Sequence, residues 1–353
     1  MSDELLKLRT EIDAIDQSVL KQLSRRAQLA GRIGEIKKGN IYRPEREAQV
    51  LRQIATANPG PLPSDAITRI FREIMSACLA LEQPLKIAYL GPAGTFSESA
   101  AKKHFGHAPS FEALPTIDDV FRAVEGNNVH YGVVPVENST EGAIGRTLDL
   151  LLLNPVQICG EVTLRIHQNL LSKAESKGGI KRLYSHSQSL SQCHEWLNKN
   201  LGDVPRISVS SNAEAARLAS EDPASAAIAG LAAAELYGLK AMARNIEDEP
   251  NNTTRFIIIA HHDAAPSGQD KTSIVCATPN TPGAVHALIE PFAQNKVSLS
   301  KLQSRPARSG MWEYVFYMDI EGHKTQENVA RALDNIRETA AFLKVLGSYP
   351  NAL

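Results

Sequence analysis

Cysteine is scarce in this chain. Four occur in 353 residues, at Cys78, Cys159, Cys193 and Cys276, and none forms a C-x-x-C pair. Such spacing argues against a disulfide framework or a zinc site. The ten histidines add no ligand pattern, since His261 and His262 are adjacent and neighbours on an extended chain point apart. No metal and no cofactor is expected. Net charge is nearly absent too: 38 Lys and Arg against 39 Asp and Glu give −1, which leaves no global field for nucleic acid. Long apolar runs are missing, the densest being Leu150 to Leu153 and Phe256 to Ala260. The opening MSDELLKLRTEID carries charge where a signal peptide needs an apolar stretch. A soluble cytoplasmic protein is expected, without nucleic-acid or membrane partners. No glycine-rich phosphate loop followed by Lys-Ser or Lys-Thr is found. What is present is globular in composition, 43% hydrophobic and 22% charged, in a chain long enough for two or three domains.

Three regions differ in pattern. Leu5, Leu8, Ile12, Ile15, Val19 and Leu23 recur at helical spacing and predict one long helix over about 3 to 38, ended by Gly39-Asn40. A second helix is expected from Pro44 and a third after Pro63, capped by Ser64. After Pro84 the strands KIAYLG and YGVVPVEN alternate with helical patterns, which predicts an α/β domain with a mainly parallel sheet over 86–262. Residues 261–271, HHDAAPSGQDK, have the composition of a linker. The remainder, 272–350, reads strand, helix, strand, strand, helix, strand, the order of a ferredoxin-like α+β module.

Between Lys21 and Arg52 stand nine basic residues and three acids. Most such runs are solvated helix faces. Here Arg26 and Lys37 are eleven residues apart, so on one helix they differ by only ~20° in direction and lie ~16 Å apart along the axis, within joint reach of one small anion. Arg9 lies ~25 Å from Arg26 and ~100° off that face, so it could serve the same pocket only from a second subunit. LLKLRTEIDAID, LSRRAQLAGRIGEIKK, YRPEREAQV and ITRIFREIMSACLALEQ together resemble the all-helical chorismate mutases, over about residues 3–83. The resemblance implies that Arg9 of a partner chain, Arg26 and Arg46 hold two substrate carboxylates. It puts Lys37 and Glu82 at the ether oxygen and Glu47 at the ring hydroxyl, with Arg43 and Cys78 nearby. Arg43, Cys78 and Glu82 stand where the family often has Asp, Ser and Gln. A carboxylate at Glu82 would repel charge developing on the ether oxygen, whereas the acid form would donate to it.

In the α/β region four polar clusters close apolar strands: GPAGTFS (91–97), VPVENSTEG (134–142), YSHSQSLSQC (184–193) and NNTTRF (251–256). Open α/β sheets bind ligands at such strand ends. Taken alone, Thr95 and Ser97 read as helix caps. In order and spacing the four motifs resemble prephenate dehydratase over about 86–262, with a two-lobed fold like that of periplasmic binding proteins. The resemblance implies Thr254 at the catalytic centre, with Glu137, Asn138, Ser185, Gln192 and Arg255 lining a cleft and Thr95, Ser97 and Asn212 as weaker candidates. A hydroxyl donor at Thr254 beside a cationic Arg255 would act on the departing ring hydroxyl; His186 is a competing acid.

TPGAVHALIEPF (281–292) and KLQSRPARSGMWEY (301–314) resemble the ACT regulatory domain fused to prephenate dehydratases. This implies phenylalanine as effector at a dimer interface, on Gly283, Ala284, Gln303, Ser304 and Arg305. Glu is frequent where Gln303 stands, so weaker feedback is implied. The whole reads as a bifunctional, homo-oligomeric enzyme acting on chorismate and prephenate. Two rivals stay open: an amino-acid-responsive sensor, and a dehydratase whose helical region is only a dimerisation arm.

Overall fold

The structure is a computed structural model and describes residues 3–36, 42–278, 281–306 and 314–352. The chain divides into two compact units, residues 1–85 with 105–110 and the remainder.

The first unit is built on three helices, α1 (Asp3–Ile36), α2 (Pro44–Ala57) and α3 (Ser64–Glu82). No residue of α1 is buried: Leu8, Ile12 and Ile15 on its apolar stripe are 51%, 56% and 61% exposed. Ser64 does not cap α3 as expected. It is the first helical residue, and its Oγ donates to the carbonyl of Ala55 (3.3 Å) and accepts from Asn58 Nδ2 (3.3 Å), joining α2 to α3. The expected stop at Gly39-Asn40 and the candidate Lys37 lie outside the described residues.

The second unit opens with β1 (Lys86–Leu90), α4 (Phe96–Phe105), β2 (Ser110–Leu114), α5 (Ile117–Glu125), β3 (Tyr131–Asn138), β4 (Gly142–Ala143), α6 (Gly145–Leu153) and β5 (Gln157–Arg165). A second lobe follows: β6 (Asn169–Ser172), β7 (Arg182–Ser185), α7 (Ser187–Gln192), α8 (His194–Leu201), β8 (Arg206–Ser208), α9 (Asn212–Glu221), β9 (Ser225–Ala229), α10 (Leu231–Tyr237) and β10 (Lys240–Ala243). The chain then returns to the first lobe as β11 (Thr253–Ala260). The first sheet is ordered β2-β1-β3-β11-β5 with β4 beside β3, and the second β10-β6-β9-β7-β8. Neither is mainly parallel. The strand that completes the first sheet arrives from the other lobe, and β11 pairs antiparallel with both β3 and β5. The lobes are thus joined by two crossovers, 166–168 and 244–252, tied by Ile166 N–H to Asn252 O and Ile246 N–H to Gln168 O (both 2.8 Å).

The last module comprises β12 (Asp270–Ala277), α11 (Ala284–Gln294), β13 (Leu299–Pro306), β14 (Tyr314–Glu321), α12 (Glu327–Thr339) and β15 (Phe342–Pro350). Its antiparallel sheet, β13-β14-β12-β15, has the ferredoxin-like order. One face is covered by α11 and α12 through Leu288, Phe292, Val329 and Leu333. The other buries Val275, Val315, Tyr317, Leu346 and Tyr349 in one core with Leu148, Leu151, Ile158, Ile257 and Ile259 of the first lobe. Gly347 allows this approach, because a Cβ there would collide with the backbone of Ile158. The segment expected to be a linker is fastened as well: the Asp270 carboxylate accepts from the backbone N–H groups of Ser267 and Gly268 and from Ser267 Oγ.

Candidate active sites

In the first unit, α1, α2 and α3 enclose a cavity of about 330 Å³. Its polar lining is Arg26 from α1, Arg43, Arg46 and Glu47 around the start of α2, and Glu82 from the end of α3; Leu29, Ile33, Val50 and Leu79 supply aliphatic walls and Cys78 also lines it. Pro44 opens α2 with a φ already suited to a helix's first turn, the turn that also carries Arg46 and Glu47. Gly34 lets α1 approach Glu82 closely, since a Cβ there would come within 3.0 Å of Glu82 Cβ. Burial pushes the Glu47 carboxyl up to about 7, against the opposing pull of Arg72, whose Nε is 3.6 Å away. Three guanidiniums beside an aliphatic wall suit a compact ring bearing two carboxylates. Arg9 is exposed on α1 and does not line this cavity.

The second cavity, about 360 Å³, lies in the cleft between the two lobes. Its lining includes Thr95 and Ser97 at the start of α4, Asn138 at the end of β3, Gln168 and Asn252 on the crossovers, His186, Ser189 and Gln192 around α7, Asn212 at the start of α9, and Thr254 on β11. No Arg or Lys is among the described lining residues. The N-termini of α4 and α9 open onto the cleft instead, and their backbone N–H groups favour anions. Thr95 and Glu98 form a reciprocal cap on α4, with Glu98 N–H to Thr95 Oγ1 at 3.4 Å and Gly94 N–H to Glu98 Oε2 at 2.6 Å. Asn138 Nδ2 donates to Thr254 Oγ1 (2.9 Å) and Asn252 Oδ1 (2.8 Å). With its oxygen already accepting, Thr254 keeps its own proton for a ligand. Ser185 is fully buried behind this wall, in reach of Asn212 Oδ1 (3.0 Å), and orients that side chain. His186 Nδ1 accepts from Gln188 N–H (3.4 Å), which spends that nitrogen on capping α7.

Arg255 and Glu137 do not line the cleft; the structure differs here from the expectation. On a strand successive side chains face opposite ways, so Thr254 and Phe256 line the cleft and Arg255 points to the regulatory module. Arg255 donates to Glu161 (2.7 Å), Asp319 (2.5 Å) and Tyr349 Oη (2.8 Å). Burial would raise the Asp319 carboxyl, but the Arg255 charge and the Ser273 hydroxyl hold it below its ordinary value. Glu137, paired with Arg255 across the ladder, takes Lys301 Nζ at 2.8 Å. The general-acid pairing of Thr254 with Arg255 is therefore absent from this geometry.

The regulatory candidates also separate. Gly283 adopts φ +84 as the N-cap of α11, next to Ala284. On β13, Lys301, Gln303 and Arg305 alternate with the exposed Leu302 and Ser304. Arg305 is engaged by the dehydratase-like lobe, 3.3 Å from Asp149 and packed on Gly145. The sequence reading passed over Gln168, Ser189 and Asn252. Ser189 and Asn252 lie within the clusters YSHSQSLSQC and NNTTRF; Gln168 lies in none of the four and carries no signal of its own.

Family profiles match in the same order: chorismate mutase type II over residues 8–83, prephenate dehydratase over 87–264 and the ACT domain over 272–338. A bifunctional chorismate mutase/prephenate dehydratase of Neisseria gonorrhoeae is 54% identical, covering 99% of this chain and 98% of that protein. Another, from Stutzerimonas stutzeri, is 49% identical over 100% and 99%. Among solved structures, the prephenate dehydratase of Arthrobacter aurescens in complex with L-Phe is 31% identical, with a TM-score of 0.71 over 76% of this chain and 90% of that one. With three matched modules in one order and full-length relatives at this identity, the chain belongs to the bifunctional chorismate mutase/prephenate dehydratase family.

Proposed function

We propose that the family's two reactions are divided between the two cavities. Chorismate is rearranged to prephenate in the three-helix cavity, and prephenate loses carbon dioxide and water in the interlobe cleft to give phenylpyruvate. The observation that carries this division is the contrast in lining: guanidiniums around Glu47 and Glu82 in one cavity, neutral amides, hydroxyls and helix N-termini in the other. The rearrangement is pericyclic and needs no nucleophile. Arg26 and Arg46 hold the carboxylates of the compact conformer, and Glu82 in its acid form donates to the ether oxygen. In the second reaction the ring carboxylate leaves as carbon dioxide, its electron pair enters the ring, and the C–O bond breaks with its pair on oxygen. Thr254 donates a hydrogen bond to that oxygen, which departs as hydroxide and takes a proton from solvent to become water.

The active assembly is a homo-oligomer in which a second copy covers the apolar stripe of α1 and supplies Arg9 to its partner's cavity. The exposure of Leu8, Ile12 and Ile15 supports this. Phenylalanine is the proposed effector, held by Gly283, Ala284, Gln303 and Ser304, as the L-Phe bound to the Arthrobacter aurescens protein suggests. Arg305 and Lys301 then tie the effector strand to the dehydratase lobe through Asp149 and Glu137. The site of action is the cytoplasm; no helix among the described residues is long and apolar enough to cross a membrane. Assaying each reaction with its own substrate tests the division: Arg26→Ala should stop chorismate consumption while leaving conversion of added prephenate, and loss of both would overturn it.

A further inference from the structure

Gln168, on the first crossover between the lobes, is 2% exposed and lines the cleft. Which end of its carboxamide is oxygen follows from hydrogen bonds that begin at backbone N–H groups, whose sense is fixed. The N–H groups of Thr140 (3.0 Å) and Glu141 (3.2 Å) donate to Asn138 Oδ1, so the Asn138 amide nitrogen faces Asn252 Oδ1. Asn252 Nδ2 is therefore turned to Gln192 Oε1 (3.1 Å), which also accepts from Gln168 Nε2 (3.3 Å). From the other side, His186 N–H donates to Asn212 Oδ1 (3.0 Å), so Asn212 Nδ2 (2.7 Å) and Gln168 Nε2 (3.0 Å) both donate to Ser189 Oγ. Reversing the Gln168 amide would set its oxygen against Gln192 Oε1. Gln168 Oε1 is left as a buried acceptor with no donor among the described residues, a costly state in a folded protein unless a ligand or an ordered water relieves it.

The requirement is chemically narrow. At neutral pH the two carboxylates and the ketone of prephenate only accept hydrogen bonds; its single donor is the ring hydroxyl. We propose that Gln168 Oε1 accepts the hydrogen bond of the ring hydroxyl that the reaction expels, an assignment that rests on the dehydratase reading of the cleft. Thr254, whose own oxygen accepts from Asn138, donates to the same hydroxyl. The leaving group is then held between one acceptor and one donor, with a lone pair directed at Thr254. Phenylpyruvate has no hydroxyl there, so it leaves Gln168 unmatched and dissociates more readily than the substrate.

The test uses the full-length chain and two ring-saturated prephenate analogues that cannot aromatise, identical except that one lacks the hydroxyl. Calorimetry should show the hydroxylated analogue binding the wild type at least about tenfold tighter, because the other strands a buried acceptor. In Gln168→Met, similar in volume but without the carbonyl, that ratio should fall below about threefold through weaker binding of the hydroxylated analogue. Gln168→Asn, which withdraws the oxygen by one methylene, should behave alike and serves if the methionine variant misfolds. An unchanged urea-unfolding midpoint of the second unit reports an intact cleft. No preference in the wild type, or the wild-type ratio persisting in a folded variant, would overturn the proposal. A wild type that cannot convert prephenate at all would instead refute the dehydratase reading.

Discussion

Thr254 and Arg255 are neighbours on β11 and face opposite ways, Thr254 into the interlobe cleft and Arg255 into a cluster with Glu161, Asp319 and Tyr349. The strand that carries the proposed hydrogen-bond donor to the leaving oxygen is thus gripped from behind by the regulatory sheet. Arg255→Met would leave the buried Asp319 carboxylate without its paired cation, while Glu161 keeps Lys271 at 2.8 Å; the loss should cost about 3–5 kcal/mol of stability. Urea unfolding followed on the second unit measures this, with mutase turnover as the control. A variant that unfolds like the wild type and loses only dehydratase turnover would place Arg255 at the chemistry instead.

Thr254→Ala should have the opposite signature. Loss of the donor to the leaving oxygen should slow phenylpyruvate formation by roughly 10²–10⁴-fold, with unfolding and chorismate consumption nearly unchanged. Parallel loss of both activities in a folded variant would count against separate sites.

Much of this was legible in the sequence. The helical spacing from Leu5 to Leu23 located α1, and Pro44 and Pro63 marked the starts of α2 and α3. The short strands β2, β6 and β10 were not legible, since four or five residues without clear alternation carry too little signal to separate strand from loop. Strand alternation alone could have kept Arg255 out of the cleft, because Thr254 lines it and adjacent residues cannot share a face. The role of Gln168 was not legible at all. It depends on the crossover 166–168 meeting α7, the end of β3 and the second crossover in space, a relation that no local pattern encodes.

Glu47 makes the mutase pH-dependent. Its carboxyl is raised to about 7 by burial, so it is neutral below that pH and anionic above, where it repels a dianionic substrate. Mutase kcat/KM should therefore decline as pH rises through about 7, and Glu47→Gln should flatten the decline. Stability follows the same sign: the fold binds this proton more tightly than the unfolded chain does, so the first unit loses stability between the ordinary carboxyl value of 4.5 and about 7. A pH–rate series on both chains checks this, and an unaltered profile in the glutamine variant would remove Glu47 from the cavity's charge balance.

Subunit sharing predicts complementation. Arg9→Ala and Arg26→Ala chains should each be nearly inactive as mutases. Equal mixing with subunit exchange should restore about a quarter of wild-type activity, since half the dimers are mixed and each of those has one intact site. Mixtures as inactive as their parents would rule out a site shared between chains.

The central claim is that one chain carries both chemistries, and it is tested most directly by giving the purified protein chorismate alone and following phenylpyruvate. The account predicts that phenylpyruvate forms after a lag while prephenate accumulates, and that Thr254→Ala stops the sequence at prephenate. Consumption of chorismate with no phenylpyruvate from the wild type, or no consumption at all, would contradict it.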